Sequence, residues 1–234
     1  MPTPSAGYRN AEGKRLPSVT TILGRFKDSG ALIKWAYREG RAHAELEAAG
    51  KPAPRDLYDK GSTSTKAAEA GTIAHNIIEA KILGRPSPYG AQGEGEQIID
   101  RETFDRALNA VAQYEQWAKQ TRMTVTHTEM GLVSEKHQFG GTLDAVGEID
   151  GKIVLLDWKT SNAVYGDYIL QLAAYALLLE ENRPELTPTG FHILRFSKDN
   201  ADFAHHSYGN LDNEKEAFIL MARLYPLVQK TAKR

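Results

Sequence analysis

An Asp-Gly pair at residues 150–151 separates two apolar segments and sets how they can pair. Between aliphatic runs, Asp-Gly is the strongest short-range signal of a β-hairpin, because a type I′ turn needs positive φ at both central residues. If these residues form the turn, Ile149 pairs with Lys152. The same register places Asp144 directly opposite Asp157. Since the residues around them are mostly apolar, we expect both strands to be central and covered on both faces.

The opposed aspartates predict a cation at the end of this hairpin. Side chains directly across a strand pair lie about 4.5–5.5 Å apart at Cβ, and like charges there are destabilising. Lys159 follows Asp157 by two residues and therefore shares its face. One interpretation is a salt-bridge cluster that closes the sheet edge. The other is a divalent cation held by Asp144 and Asp157, with Lys159 beside an attacking water or a phosphate. Because buried ion pairs stabilise folds weakly, the metal site is favoured.

Composition limits the function classes open to the chain. Its 234 residues are 41% hydrophobic and 25% charged, which predicts a single domain over residues 1–234. The net charge of −1 excludes a globally basic nucleic-acid binder but allows a local basic surface. With no cysteine, the chain has no disulfide, thiolate zinc site or cysteine-ligated iron–sulfur cluster. The absence of a leader-like or membrane-spanning apolar run predicts a cytoplasmic protein with no membrane partner.

The order of elements predicts an α/β (α+β) fold with a central mixed sheet flanked by helices. We expect a helical part over 1–121 that forms a cleft, and a sheet core over 122–234. The short segment SVTTIL after Pro17 is compatible with a strand or a helical turn, and Asp28-Ser29 is expected to cap the first long helix. In the second part, a strand, the hairpin, a helix and two further strands return the chain to the same sheet.

Two helices carry polar pairs one turn apart. His75 and Glu79 lie at i and i+4 in GTIAHNIIE, and beside an acidic site His75 becomes a candidate third metal ligand, although such pairs are commonly surface pairs. Imidazole beside carboxylates suits Mn²⁺ at least as well as Mg²⁺. Gln171 and Tyr175 share one face of an otherwise apolar helix and need polar partners, either in the core or on a substrate.

A basic stripe runs along the first long helix. Lys34, Arg38 and Arg41 recur at i, i+4 and i+7, with Trp35 and Tyr37 close by. Such stripes are usually solvated faces, and the alternative is contact with a DNA backbone.

Together these segments resemble the PD-(D/E)xK nuclease superfamily. Within it the likeness is to the RecB-like exonucleases, such as the mitochondrial genome maintenance exonuclease and related phage and bacterial nucleases. The resemblance covers about 160 residues and implies a restriction-endonuclease-like core. The matching segments, in chain order, are GTIAHNIIE, Glu129, GGTLDAV, VLLDWKTS and QLAAY.

The resemblance implies roles for individual residues. Asp144, Asp157 and Lys159 correspond to the catalytic residues, and the metal ligands are these two aspartates, His75 and the backbone carbonyl of Trp158. The positions expected to support the site are Glu79, Glu129, Gln171 and Tyr175, and those expected to bind DNA are Lys34, Trp35, Arg38 and Arg41.

The implied activity is a Mg²⁺- or Mn²⁺-dependent exonuclease acting on single-stranded DNA or unpaired ends, in recombination, repair or phage replication. One alternative is a structure-specific endonuclease, and another is a non-catalytic DNA-binding module that partners a recombination or annealing protein. The absence of cysteines excludes the branch that holds an iron–sulfur cluster. Residues 1–16 do not form an Arg-rich amphipathic presequence, so we expect a bacterial or phage-encoded protein.

Overall fold

The computed structural model describes residues 7–27, 30–52, 63–89, 99–161, 163–196 and 203–231. They group into two compact units, one of residues 1–26 with 112–234 and one of residues 27–111. None of the helices in these described ranges has the length and apolar character needed to cross a membrane.

The first unit is built on a five-stranded sheet. Its strands, in their order across the sheet, are β3 Thr124–Ser134, β4 Phe139–Ile149, β5 Lys152–Thr160, β6 Gly190–Phe196 and β7 Phe203–Tyr208. All neighbouring strands are antiparallel except β5 and β6, which are parallel. This mixed sheet confirms the α/β fold class. The helices of this unit are α1 Val19–Phe26, α5 Gly166–Asn182, α6 Asp212–Thr231 and the second half of α4 Arg101–Thr121.

The hairpin has the predicted register. Asp150 and Gly151 have φ of 50° and 74°, as a type I′ turn requires. Backbone pairing runs from Ile149–Lys152 to Ala145–Leu156, so the next opposed pair is Asp144 and Asp157. Nine of the eleven residues of β4 and the five central residues of β5 are buried, which confirms that the hairpin lies in the interior of the sheet.

Helices cover both faces of the sheet. On one face, apolar side chains of α5, such as Leu172 and Leu179, form a core with Leu155 and Ile193 of the strands. On the other face, Tyr114 of α4 packs edge-on against Trp158, with ring centroids 5.7 Å apart. The parallel step from β5 through α5 to β6 therefore follows the usual covered crossover of a mixed sheet.

The start of the chain belongs to the sheet unit. A two-stranded ribbon of β1 Tyr8–Arg9 and β2 Arg15–Leu16 precedes α1. The segment SVTTIL, which had two possible conformations, is helical, and Ser18 Oγ accepts the Thr21 N–H at 3.0 Å as an N-cap. Val19 and Ile22 of this helix are buried in the core with α5. Helix α1 therefore groups with the sheet unit, although it falls within the helical part expected over residues 1–121. The single domain over residues 1–234 stays a prediction.

The second unit contains α2 Gly30–Ala48, α3 Thr63–Ile82 and the first half of α4. Both long helices occur where the sequence predicted them. The expected cap at Asp28-Ser29 lies outside the described residues.

Gly140 provides a test of how the amino-terminal ribbon packs on β4. A Cβ atom at this position would lie 2.3 Å from Cγ of Tyr8, well inside van der Waals contact. We expect Gly140→Ala to lower the free energy of unfolding by about 1–3 kcal/mol, the usual cost of overpacking. Thermal denaturation would measure this loss.

Gly131→Ala is the matched control on the neighbouring strand. Its added Cβ would meet only Thr142 Oγ1, at 3.7 Å, which is an ordinary contact. Combining Gly140→Ala with Tyr8→Ala should recover part of the loss, since the colliding ring is gone. Equal melting temperatures for the two glycine variants would contradict this packing.

The half-buried His192 on β6 makes the free energy of unfolding depend on pH. Its Nδ1 lies 2.7 Å from Nε2 of His205 on β7. Burial, helped by the nearby charge of His205, lowers the pKa of His192 from 6.5 to about 4. The folded state therefore binds fewer protons than the unfolded state, and this contribution to stability is complete above pH 6.5 and lost as pH falls towards 4. We expect the melting temperature of His192→Gln to fall less steeply than that of the wild type over this range. Parallel curves would refute the assignment.

Candidate metal centre

Carboxylates from three neighbouring strands lie in a row across the sheet. The pairs Thr128–Ala145 and Met130–Leu143 place Glu129 of β3 opposite Asp144 of β4. One carboxylate oxygen of Glu129 lies within 4.8 Å of one of Asp144. Asp157 follows on β5 in the hairpin register.

The backbone of β3 is irregular near Glu129. A β-bulge lies between Val125 and His127, and bulges are over-represented next to active sites. Glu129 itself has φ of 50°, a conformation that side-chain-bearing residues rarely adopt outside turns. Backbone strain of this kind concentrates at functional sites. It is therefore consistent with a role for Glu129 beside Asp144.

The two aspartates are deeply buried. Asp144 is 2% exposed and its Oδ2 accepts the backbone N–H of Trp158 at 2.9 Å. Asp157 is fully buried, and its Oδ1 accepts no hydrogen bond from the residues that the structure describes. A buried carboxylate oxygen without a donor is costly unless another group meets it. A hard cation fits such an oxygen.

Lys159 places a positive charge beside Asp157. Its Nζ lies 2.6 Å from Asp157 Oδ2, and the side chain is 15% exposed. The ring of Tyr168, on the first turns of α5, lies with its centroid 5.1 Å from the same Nζ. The ammonium group is therefore held between a carboxylate and an aromatic ring.

The electrostatics reflect crowding of negative charge. Burial raises the pKa of Asp157 to about 7, with Asp144 adding to the rise and Lys159 opposing it. Burial also acts against the charge on Lys159, but Asp157 and Asp144 outweigh it, so the pKa of the ammonium is raised. The carboxylates thus repel each other even with Lys159 in place.

Asp157 separates the two interpretations of the hairpin. Lys159 meets only its Oδ2, so a salt bridge leaves the buried Oδ1 without a donor among the residues that the structure describes. A divalent cation would meet this oxygen and stabilise the charged form of Asp157.

Gln171 and Tyr175 provide each other's polar contact on α5. Gln171 Nε2 donates to the Tyr175 hydroxyl at 2.7 Å, and both side chains are buried. Burial raises the pKa of Tyr175 well above its ordinary value, and the charges of Asp157 and Asp144 raise it further. The pair therefore lies within electrostatic range of the aspartates and keeps its hydroxyl protonated.

The remaining sequence-predicted positions lie on helices of the second unit. His75 and Glu79 are half-buried on α3, one turn apart. Lys34, Arg38 and Arg41 are exposed on α2, and Arg41 forms an i,i+4 ion pair with Glu45 at 3.2 Å. The side chain of Trp35 lies outside the described part of this helix. The proposed roles of these residues stay predictions.

The structure adds two tyrosines that the motifs did not indicate. Tyr168 contacts Lys159, and its spacing of i, i+3 and i+7 with Gln171 and Tyr175 is a helical-face signal that could have identified it. The Tyr8 hydroxyl lies 2.8 Å from Thr142 Oγ1, two residues before Asp144. That contact spans 134 residues of chain, so no local pattern predicts it.

Fold and site together define an α/β protein with an acidic centre, built across a mixed sheet, that suits a divalent cation. Residues 40–232 match the sequence model of the PD-(D/E)XK nuclease superfamily. Because this match covers most of the chain, the protein belongs to that superfamily, whose nucleases use divalent metal ions. The superfamily assignment made from the motifs is thereby confirmed.

Solved structures resemble the chain only distantly. A predicted exonuclease from Eubacterium rectale is 16% identical with a TM-score of 0.47, covering 70% of this chain and 66% of its own. This chain therefore spans slightly less than two thirds of that protein. An alkaline exonuclease from Laribacter hongkongensis is 14% identical with a TM-score of 0.32, covering 72% of this chain and 91% of its own. No curated protein sequence matches significantly. The superfamily assignment rests on the sequence model alone.

Proposed function

We propose that this protein is a metal-dependent deoxyribonuclease, and specifically an exonuclease of the RecB-like group that acts on single-stranded DNA or unpaired ends. The observation that carries the proposal is the row of Glu129, Asp144 and Asp157 with Lys159 beside it. This arrangement combines ligands for a hard cation with a positive charge for a phosphate, as phosphodiester hydrolysis requires.

The roles of the chain's own residues follow from their chemistry. Asp144 and Asp157 would hold one or two Mg²⁺ or Mn²⁺ ions, with Glu129 as a further oxygen donor. The bound metal would polarise the phosphate and lower the pKa of a bound water. The Lys159 ammonium would orient the attacking water and stabilise the negative charge that develops on the phosphate. In-line displacement would leave a 5′-phosphate and a 3′-hydroxyl.

Two further ligands are proposed from the motif resemblance. His75 would add an imidazole nitrogen, with Glu79 supporting it one helical turn away, and the Trp158 carbonyl would add an oxygen. An imidazole in the set would favour Mn²⁺ relative to an all-oxygen site. His75→Ala should therefore shift the metal preference towards Mg²⁺.

The substrate strand would be guided by residues outside the metal row. We infer that Gln171 and Tyr175 line the path of the scissile strand, since both lie on the helix that also presents Tyr168 to Lys159. Lys34, Arg38 and Arg41 would contact backbone phosphates, with Trp35 available for stacking on a base. An enzyme of this kind would serve repair, recombination or phage replication in a bacterial cytoplasm, beside an annealing protein.

End-labelled linear single-stranded DNA and a circular single strand, each with Mg²⁺ or Mn²⁺, test the proposal. We expect stepwise shortening of the linear strand, no cleavage of the circle, and no activity after chelation of the metal. Cleavage of the circle would replace the exonuclease by an endonuclease. Absence of both cleavage and metal binding by calorimetry would leave only a non-catalytic DNA-binding module. Labels at either end also report the polarity.

A further inference from the structure

The segment that joins β5 to α5 begins two residues after Lys159 and ends in an exposed aromatic residue. Tyr165 immediately precedes α5 and is 49% exposed, which is high for a large aromatic ring. Its ring meets that of Tyr168 edge-on, with centroids 5.5 Å apart. Tyr168 in turn lies over Lys159. The exposed ring is therefore one aromatic contact away from the side chain that the proposed chemistry uses.

Hydrogen bonds hold both ends of this segment in place. Ser161 N donates to the Phe196 carbonyl at 3.2 Å, and the buried Arg195 donates from Nη1 to the Ser161 carbonyl at 3.1 Å. At the other end, Tyr168 N donates to the Tyr165 carbonyl at 3.0 Å. The Tyr165 backbone is thus joined to the first turn of α5, which lowers the conformational entropy lost when a ligand stacks on the ring.

We propose that Tyr165 is a stacking subsite for an unpaired nucleobase of the nucleotide next to the scissile phosphate. The proposal rests on the proposed nuclease function and specifies its substrate as a strand with unstacked bases. Tyr165 is 49% exposed and its ring is nearly perpendicular to that of Tyr168, so about half of its surface is open to a flat π-system. A base inside a duplex is covered on both faces and cannot use this subsite, whereas a base in a single strand or at a frayed end can.

The stacking subsite predicts that the affinity for a strand depends on its bases at this position and not only on its backbone. Stacking of a base on an aromatic side chain contributes about 1–3 kcal/mol, so loss of the ring should weaken binding by about tenfold or more. Phosphate contacts do not depend on the base. A strand of the same length that lacks all its bases should therefore bind the wild type and a ring-less variant equally.

Fluorescence anisotropy with labelled oligonucleotides, in Ca²⁺ to keep the strand intact, measures the effect. We expect Tyr165→Ala to weaken binding of a normal single strand by about tenfold and to leave binding of the abasic strand unchanged. Tyr165→Phe keeps the ring and should bind like the wild type, while Tyr165→Leu keeps apolar bulk without a π-face and should behave like the alanine variant. Leu224→Ala, an exposed apolar residue on α6, is the surface control.

The outcomes separate the subsite from the enzyme. If the wild type cleaves DNA and Tyr165→Ala binds the normal strand as tightly, the subsite is refuted and the proposed function stands. If Tyr165→Ala binds the normal and the abasic strand equally more weakly, stacking is also refuted, because the lost contact is then to the nucleic-acid backbone. If the wild type neither binds nor cleaves DNA, the proposed function fails and the subsite fails with it.

Discussion

Asp157→Asn should abolish DNA hydrolysis and at the same time raise the melting temperature of the metal-free protein. The carboxylate is fully buried, and its charge is opposed by burial and by Asp144 despite the ion pair with Lys159. Asparagine has nearly the same shape without the charge, so the repulsion is relieved, while Asp144 remains as a counter-charge for Lys159. Metal binding, however, loses a charged ligand. Substitution of residues that only support metal ligands already lowers metal affinity by about 10- to 100-fold. We therefore expect Asp157→Asn to lower metal affinity by more than about 100-fold.

Calorimetry, thermal denaturation with and without Mg²⁺, and single-strand hydrolysis would measure these effects. Asp150→Asn is a matched control, because it makes the same chemical change in the same hairpin at an exposed turn position that asparagine tolerates. It should keep wild-type activity and the wild-type gain in melting temperature with metal. An active Asp157→Asn variant would remove Asp157 from the proposed centre.

Lys159→Met should also eliminate activity but with the opposite effect on stability. Methionine keeps much of the side-chain length and apolar character while removing the ammonium that lies 2.6 Å from Asp157. Leaving one partner of a buried pair without its counter-charge costs about 3–5 kcal/mol, so the metal-free protein should melt at a lower temperature. Loss of a group that assists proton transfer or stabilises charge typically lowers kcat by about 10²- to 10⁴-fold.

Metal should rescue the stability of Lys159→Met but not its activity. The cation replaces the missing positive charge between the carboxylates, whereas nothing replaces the ammonium at the phosphate. Lys152→Met, exposed at the start of the same strand, is the control and should resemble the wild type. A Lys159→Met variant with wild-type kcat would assign the lysine to structure rather than to catalysis.

The hairpin sequence alone predicts part of the site to which Asp157 and Lys159 belong. Asp150 and Gly151 strongly favour a type I′ turn, because this turn needs positive φ at both residues and few other residue pairs adopt it readily. Once the turn is set, strand geometry places Asp144 and Asp157 together without reference to the rest of the molecule. Their opposition was therefore predictable from the sequence.

Several helices were also predictable, because helical spacing depends on residues that are close together in the chain. Helical periodicity and caps indicated α2, α3 and α5, and the polar pair Gln171 and Tyr175 followed from helical spacing. The helical state of α1 was not decided by its own residues. Its eight residues are too few to be stable alone, and the burial of Val19 and Ile22 against α5 selects the helix.

The sequence by itself determined the hairpin register, the facing aspartates, the order of the elements and the motifs of the superfamily, because each depends on residues close together in the chain. Only the tertiary structure decided that Glu129 lies beside Asp144 and that Tyr168 lies over Lys159. It also decided that Tyr8 reaches Thr142. The Tyr8–Thr142 contact joins segments 134 residues apart in the chain, and the other two contacts depend on how β3 pairs with β4 and how α5 packs on β5.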